Sequence, residues 1–286
     1  MLKQLLNFII HLRLHYQFFI LSGGYLLAGL FVENIHWGEF WMQFLNVHVL
    51  LFGGATAYNS WWDKDEGPIG GLKSPPKMNH WMWPVSMGIQ YIGLAWALTV
   101  GWNYATIYAI SMLFFWLYST PLARWKGKPV LSLFAIGVST GTNSFLLGFL
   151  AAGGYPITFF KDAIAVGVAL ILLSLYPVSQ VFQTDEDTQR GDQTFAVIFG
   201  LKGVKWLFST LFPIGSALLG WGLFLQSTTI GYLFIGVNVM AYIGLSYFVW
   251  RLEGRSEEYP VVMKIKLMAS LSFVLFIGTA LAYQNL

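Results

Sequence analysis

Long apolar runs separated by short polar breaks fill the chain from residue 15 almost to its end. A helix needs about 20 predominantly apolar residues to cross the hydrocarbon of a bilayer. Runs of that order lie at 15–33, 39–58, 81–101, 103–119, 130–152, 161–182, 206–225, 228–250 and 261–284. The pattern predicts an all-α polytopic membrane protein of nine transmembrane helices, forming one domain over residues 1–286. Only Gly101-Trp102-Asn103 parts the third span from the fourth. Met1 to Leu14 is basic and amphipathic, has no small-residue cleavage site, and is expected to lie at the membrane interface.

Composition supports this reading. The chain is 56% hydrophobic and 10% charged, against about 25% charged residues in soluble proteins. With the N-terminus in the cytoplasm, nine spans place fifteen of the sixteen Lys and Arg on the cytoplasmic side, from Lys3 and Arg13 through Lys264 and Lys266. Lys161 alone falls outside. Adding or removing one span scrambles the segregation, so the positive-inside rule favours nine crossings with the C-terminus outside. Topology thereby accounts for the net charge of +3, and no nucleic-acid partner is expected. With no cysteine, disulfides and thiolate chemistry are excluded.

The polar breaks are unequal. Two of them, about 59–80 and 183–205, contain the segments Asn59-Ser-Trp-Trp-Asp63-Lys-Asp65-Glu66 and Gln183-Thr-Asp185-Glu186-Asp187-Thr-Gln-Arg190-Gly-Asp192, with seven of the thirteen acidic residues. Both follow directly on an apolar span and share the cytoplasmic face. Carboxylates this dense at a membrane boundary repel one another and lose solvation, which a bound divalent cation relieves. Asn59, Asp63 and Glu66, and likewise Ser179, Gln183 and Asp187, recur at helical spacing, so each span can aim a ladder of oxygens into the bundle. Neither cluster contains histidine. Hard oxygen donors suit Mg2+, completed by phosphate oxygens and water, rather than zinc. Two such clusters facing each other would hold a diphosphate.

This arrangement resembles the UbiA superfamily of membrane prenyltransferases over nearly the whole chain. The family's first motif, Asn-x3-Asp-x3-Asp, is matched by Asn59 and Asp63, with Gly67 at its last place and Asp65 or Glu66 as the neighbouring substitute. Its second, Asp-x3-Asp, is matched by Asp187, with Gln183 at the first place and Asp185 and Glu186 close by. Gly191-Asp-Gln-Thr-Phe-Ala-Val-Ile-Phe-Gly200 and Tyr118-Ser-Thr-Pro121 with Lys126 resemble two further family segments. The resemblance implies nine helices around a central cavity and Mg2+-dependent transfer of a polyprenyl group from an isoprenoid diphosphate to a lipid-soluble acceptor, most commonly an aromatic quinone precursor. It implies catalytic roles for Asp63 and Asp187, and metal ligation by Asn59, Asp63, Asp65, Glu66, Gln183, Asp185 and Asp187. Arg13, Lys73, Tyr118 and Lys126 are the candidates for the diphosphate.

Polar residues inside the spans are costly in lipid and are expected to face the bundle interior. Asn143 and Gln180 are candidates to orient the acceptor. A secondary transporter for a divalent cation or an anionic metabolite is the alternative reading, but transporter sites sit near the bilayer midplane, whereas these charges gather at one face. The charge map predicts that a tag on the C-terminus is labelled by a membrane-impermeant reagent only from outside the cytoplasm. Cytoplasmic labelling would break the nine-span count.

Overall fold

The computed structural model describes residues 2–64 and 66–284; Asp65, an expected metal ligand, lies outside the described residues. The amphipathic helix α1 (Leu2–His11) leaves Leu2, Leu5, Leu6, Ile9 and Ile10 exposed and buries Phe8 and His11. It is followed by α2 (14–31) and α3 (37–63), each interrupted by a π-helical turn, at Gln17–Leu21 and Asn46–Gly53. Then come α4 (Met82–Ala97), α5 (Trp102–Ser119), α6 (Pro129–Ala151) and α7 (Phe159–Leu175). The chain continues through α8 (Thr184–Gln189), α9 (Phe195–Gln226), α10 (Thr228–Trp250) and α11 (Tyr259–Gln284). The break expected between the third and fourth spans falls at Gly101, whose φ of 139° only glycine adopts readily.

By length and composition, five stretches suffice to cross a membrane: Pro129–Ala151, Phe159–Gln189, Phe195–Gln226, Thr228–Trp250 and Ser256–Gln284. A pair bent by 41°, Leu2–Leu21 with Gly23–Phe31, makes a sixth. The protein is a multi-pass helical bundle. Helical segments occupy all nine predicted runs among the described residues, but the others fall short in length or hydropathy, so five or six helices are candidate crossings by this measure and nine remain the expectation. Each long helix packs on its sequence neighbour, α7 packs on α9 across the short α8, and α11 returns to α2. This ring surrounds a cavity.

Two apolar clusters hold the ring. One joins Tyr25, Phe31, Phe145, Ile164, Leu223 and Phe234, and the other joins Val178, Phe182, Phe208, Leu245 and Ile265 near the second acidic segment. Inside the bundle, one group of buried polar side chains satisfies itself across three helices. Asn46 donates to Gln43 Oε1 (2.8 Å) and to the Gly93 carbonyl (3.0 Å), and accepts from the Tyr108 hydroxyl (3.1 Å), tying α3 to α4 and α5.

Close helix contact depends on missing side chains. A Cβ at Gly141 would lie 2.6 Å from the Cβ of Ala169, and one at Gly148 would lie 2.3 Å from the Tyr25 carbonyl oxygen. Backbone cannot yield as a side-chain tip does, so Gly148→Ala should lower thermal stability in detergent by roughly 1–3 kcal/mol, the ordinary range for overpacking. Gly278→Ala faces open space and should leave the unfolding temperature unchanged or slightly raised; matching curves for the two variants would refute the packing argument.

Candidate active site at the membrane boundary

Helix α3 runs five residues past the expected end of its span and carries Asn59 and Asp63 one turn apart. It stops at Lys64, which adopts a left-handed conformation (φ 51°). Asn59 donates its amide to Ser119 Oγ (3.2 Å) at the end of α5, leaving its carbonyl oxygen as the acceptor. Asp63 is buried, with its side chain only 3% exposed.

The second segment differs from expectation. Pro177 lacks the N–H that would continue α7, and the chain tightens into a 3₁₀ turn over Pro177–Gln183 before α8 begins. Ser179, Gln183 and Asp187 therefore do not share one face of a continuous α-helix. Gln183 lines the cavity and donates to the Pro68 carbonyl (3.2 Å), bridging the two acidic segments. Asp187 is buried without being part of the cavity wall, and its backbone carbonyl accepts from the Asp192 amide (2.9 Å). A Cβ at Gly67 would lie 3.1 Å from Glu186 Oε2. The two clusters meet at one end of the bundle.

A knot of charges joins them. Lys126 Nζ is 2.7 Å from Asp63 Oδ2 and 3.7 Å from Asp192 Oδ2. Arg124 grips Asp192 through two hydrogen bonds of 2.7 Å and stands 3.6 Å from Asp63. Burial alone would lower the Arg124 pKa, but the hydrogen bonds to Asp192 and the charge of Asp63 outweigh it and hold the group above its usual value. Arg190 donates to the Asp63 carbonyl (3.4 Å) and pairs with Glu186. Fork geometry gives such pairs direction as well as strength. Arg124, Arg190 and Asp192 were not among the expected site residues. Their signal was the charge density of these same loops, but nothing in the spacing said which cation would meet which acid.

A cavity of about 290 Å³ opens from this knot into the bundle. Arg13, Asn59, Asp63, Tyr118, Lys126 and Gln183 line it, as do Phe52, Leu219, Phe234, Phe273 and Phe276. Arg13 donates to Ser60 Oγ (2.7 Å) and the Gly70 carbonyl (3.1 Å). The Tyr118 hydroxyl shares a hydrogen bond of 2.8 Å with that of Tyr176. Gln180 also lines the cavity, and its Oε1 accepts from the Ala196 amide (3.3 Å). Three kinds of expected site residue lie away from it. Lys73, Glu66 and Asp185 are exposed and outside the cavity wall. Asn143 is buried between helices, donating to Ser111 Oγ (2.9 Å).

The residues fit a hard cation in one specific way. Asp63 Oδ1 is buried and has no hydrogen-bond partner. Among the described residues, no three His, Asp or Glu side chains are grouped to hold an ion unaided. That oxygen stands 3.6 Å from an Arg124 nitrogen, and together with the side-chain oxygens of Asn59 and Gln183 it could contribute part of a shell for Mg2+, an ion that commonly takes its remaining oxygens from water and substrate phosphate.

The sequence profile of the UbiA prenyltransferase family matches residues 18–271, so the chain belongs to this family of intramembrane prenyltransferases. Comparison with curated proteins gives no match. Among solved structures, it is similar to a UbiA homolog from Archaeoglobus fulgidus bound to GPP and Mg2+, with a TM-score of 0.74 and 16% identity over 98% of this chain and 100% of that one. A UbiA homolog from Aeropyrum pernix K1 gives a TM-score of 0.69 and 17% identity, covering 97% of this chain and 99% of the other. A digeranylgeranylglyceryl phosphate synthase gives 0.66 and 20%, covering 98% and 99%. These likenesses concern the fold.

Asp192→Ala should loosen the whole knot. It leaves Arg124 without its forked partner, so a loss of roughly 1.5–3 kcal/mol is expected, the range for hydrogen bonds to charged groups. Thermal unfolding in detergent measures it; an unchanged midpoint would mean the pair contributes nothing.

Proposed function

We propose that this protein transfers a polyprenyl group from an isoprenoid diphosphate to a lipid-soluble acceptor of the aromatic, quinone-precursor type, with Mg2+ as cofactor. The observation that carries this reading is the junction of two acidic segments and several cations at the mouth of a largely apolar cavity. A charged headgroup fits the mouth, and an isoprenoid chain fits the interior. The solved relative that holds GPP and Mg2+ supports the same assignment.

Mg2+, when bound, neutralises diphosphate charge and improves the leaving group. Asp63, Asn59 and Gln183 are the residues that would hold it, with the buried carboxylate of Asp187 contributed from the second segment. Arg13 and Lys126 place cationic donors at the cavity mouth, where charge grows on the departing diphosphate. Tyr118 adds a hydroxyl donor. The allylic carbon–oxygen bond breaks with its electron pair leaving on the diphosphate, the acceptor's nucleophilic atom bonds to the allylic carbon, and the acceptor gives up a proton. Phe52, Phe234 and Phe273 provide water-free walls whose ring faces favour developing positive charge.

The membrane orientation belongs to the same proposal: N-terminus and both acidic segments in the cytoplasm, C-terminus outside. The transporter reading gains no support from the site, since the buried acids and their partner cations gather at one end of the bundle.

Asp63→Ala and Asp187→Ala should each reduce magnesium-dependent release of diphosphate from labelled geranyl diphosphate by at least a hundredfold, about 2.7 kcal/mol of transition-state stabilisation. Wild-type turnover in either variant would refute its role. Incubation of the purified protein with labelled prenyl diphosphates and a panel of lipid-soluble acceptors, with and without Mg2+, tests the reaction itself; absence of any prenylated product across the panel would refute the proposal.

A further inference from the structure

The rim where α9 begins, α10 ends and α11 begins joins cations to aromatic rings in a way that charge segregation alone does not require. Lys202, Lys205, Arg251, Arg255 and Lys264 belong to these segments, against the acids Glu253, Glu257 and Glu258. Of the five stretches long and apolar enough to cross a membrane, α10 and the one containing α11 are the least enclosed by the bundle, with 22% and 28% of their apolar windows buried. Their outer faces therefore meet lipid. Trp206 near the start of α9 and Trp250 at the end of α10 have ring centres 6.1 Å apart, and both side chains are exposed. Exposed indoles at the ends of such helices mark the depth at which headgroups replace hydrocarbon.

Two cations sit on this belt in defined places. The Arg251 guanidinium lies 4.0 Å from the centre of the Tyr247 ring, and Lys264 Nζ lies 5.8 Å from that of Phe248. Those rings adjoin, 5.4 Å apart and nearly perpendicular, so one aromatic pair carries a cation from the end of α10 and another from α11. A ring face orients a cation without neutralising it. Both side chains belong to exposed residues, and among the described residues neither pairs with a carboxylate. Two of the three acids are already engaged. Glu253 pairs with Arg255, and the Glu258 carboxylate accepts from the amides of Glu253, Gly254 and Arg255 at 2.7–3.1 Å. Lys205 donates to the carbonyls of Trp250 (2.9 Å) and Leu252 (2.8 Å), which holds the end of α10 to α9 and adds positive charge. Lys202 is exposed one turn before Trp206, on the same face of α9.

We propose that this rim binds the headgroup of one anionic phospholipid, with Arg251 and Lys264 taking its phosphate and Trp206 and Trp250 packing against the glycerol and the first part of the acyl chains. The cations call for an anion, and the guanidinium fork suits phosphate oxygens. The exposed rings call for an anion attached to hydrocarbon. A soluble phosphate meets only the first demand, and an acidic protein segment would have to displace lipid from the two spans that face it most. The inference stands apart from the prenyl-transfer reading. On their inner faces the same two helices carry Leu245 and Ala269 of the cavity wall, so a lipid bridging α10 and α11 braces that wall from outside.

The test uses the full chain, stripped of lipid in a neutral detergent, with three probes: dioleoyl phosphatidylglycerol, dioleoyl phosphatidylcholine and inorganic phosphate. Native mass spectrometry counts bound lipid and gives its Kd, and thermal unfolding reports its effect on the fold. Phosphatidylglycerol should bind more tightly than phosphatidylcholine and raise the unfolding temperature, while inorganic phosphate at the same concentration should not. The double variant Arg251→Gln with Lys264→Gln should weaken phosphatidylglycerol binding roughly ten- to thirtyfold, the effect of removing two cations from the surface of an anionic lipid layer. Lys264→Gln alone should give a smaller loss of the same kind. A control with the same loss of charge, Lys3→Gln with Lys77→Gln, should leave binding within about twofold of wild type. Each variant is compared with its own lipid-free unfolding curve, so a change in basal stability does not enter the comparison. Equal binding of the two lipids by the wild type, undiminished phosphatidylglycerol binding in the double variant, or an equal loss in the control would overturn the proposal. A shift with inorganic phosphate as large as that with phosphatidylglycerol would make the rim a site for a free anion and overturn it as well.

Discussion

The contact between Asp63 and Lys126, with Asp192 and Arg124 beside it, is the constraint on which the rest of the site depends. It joins three parts of the chain that are far apart in sequence: the end of α3, the loop after α5, and the segment leading into α9. The charges of Asp63, Asp192 and Lys126 are nearly out of water, so each needs an opposite charge within reach. Satisfying that need pulls both acidic segments to one end of the bundle. The meeting of the two segments follows from electrostatic necessity as much as from helix packing.

The ring of helices places this knot over a cavity rather than a packed core. Glycines let α6 approach α7 and α2 closely, and amide and phenol groups such as those of Asn46, Gln43 and Tyr108 lock α3 to its neighbours without leaving an unpaired polar atom in the network they share. Apolar rings do the rest. The interior that remains is lined by Phe52, Leu219, Phe234 and Phe273 at some places and by Arg13, Tyr16, Lys126 and Lys266 at others. A substrate with a charged head and a hydrocarbon tail meets matching surfaces in both.

Within this cavity, two lysines play contrasting parts. Lys126 is held by acids, so its charge is already balanced and it belongs to the anionic cluster. Lys266 rests on a phenol and its ring and, among the described residues, pairs with no carboxylate. Position relative to carboxylates, more than residue type, separates the two cations.

Hydrophobic runs, charge asymmetry and the spacing of Asn59 with Asp63 determined the class of protein, its helical character and the place of its candidate site, because bilayer thickness and helical periodicity are local constraints written in consecutive residues. The break at Gly101 was legible for the same reason. The straight ladder expected from Ser179 to Asp187 was not, since Pro177 and the 3₁₀ turn after it shift the phase of the helix. Lys73 and Asn143 looked equivalent to Lys126 and Gln180 in sequence, and only packing sent the first pair to the surface and to a helix interface. The partnership of Arg124 with Asp192, and the turn of Lys266 inward to Tyr16, were decided by tertiary structure, because which charges meet depends on how helices distant in sequence are brought together.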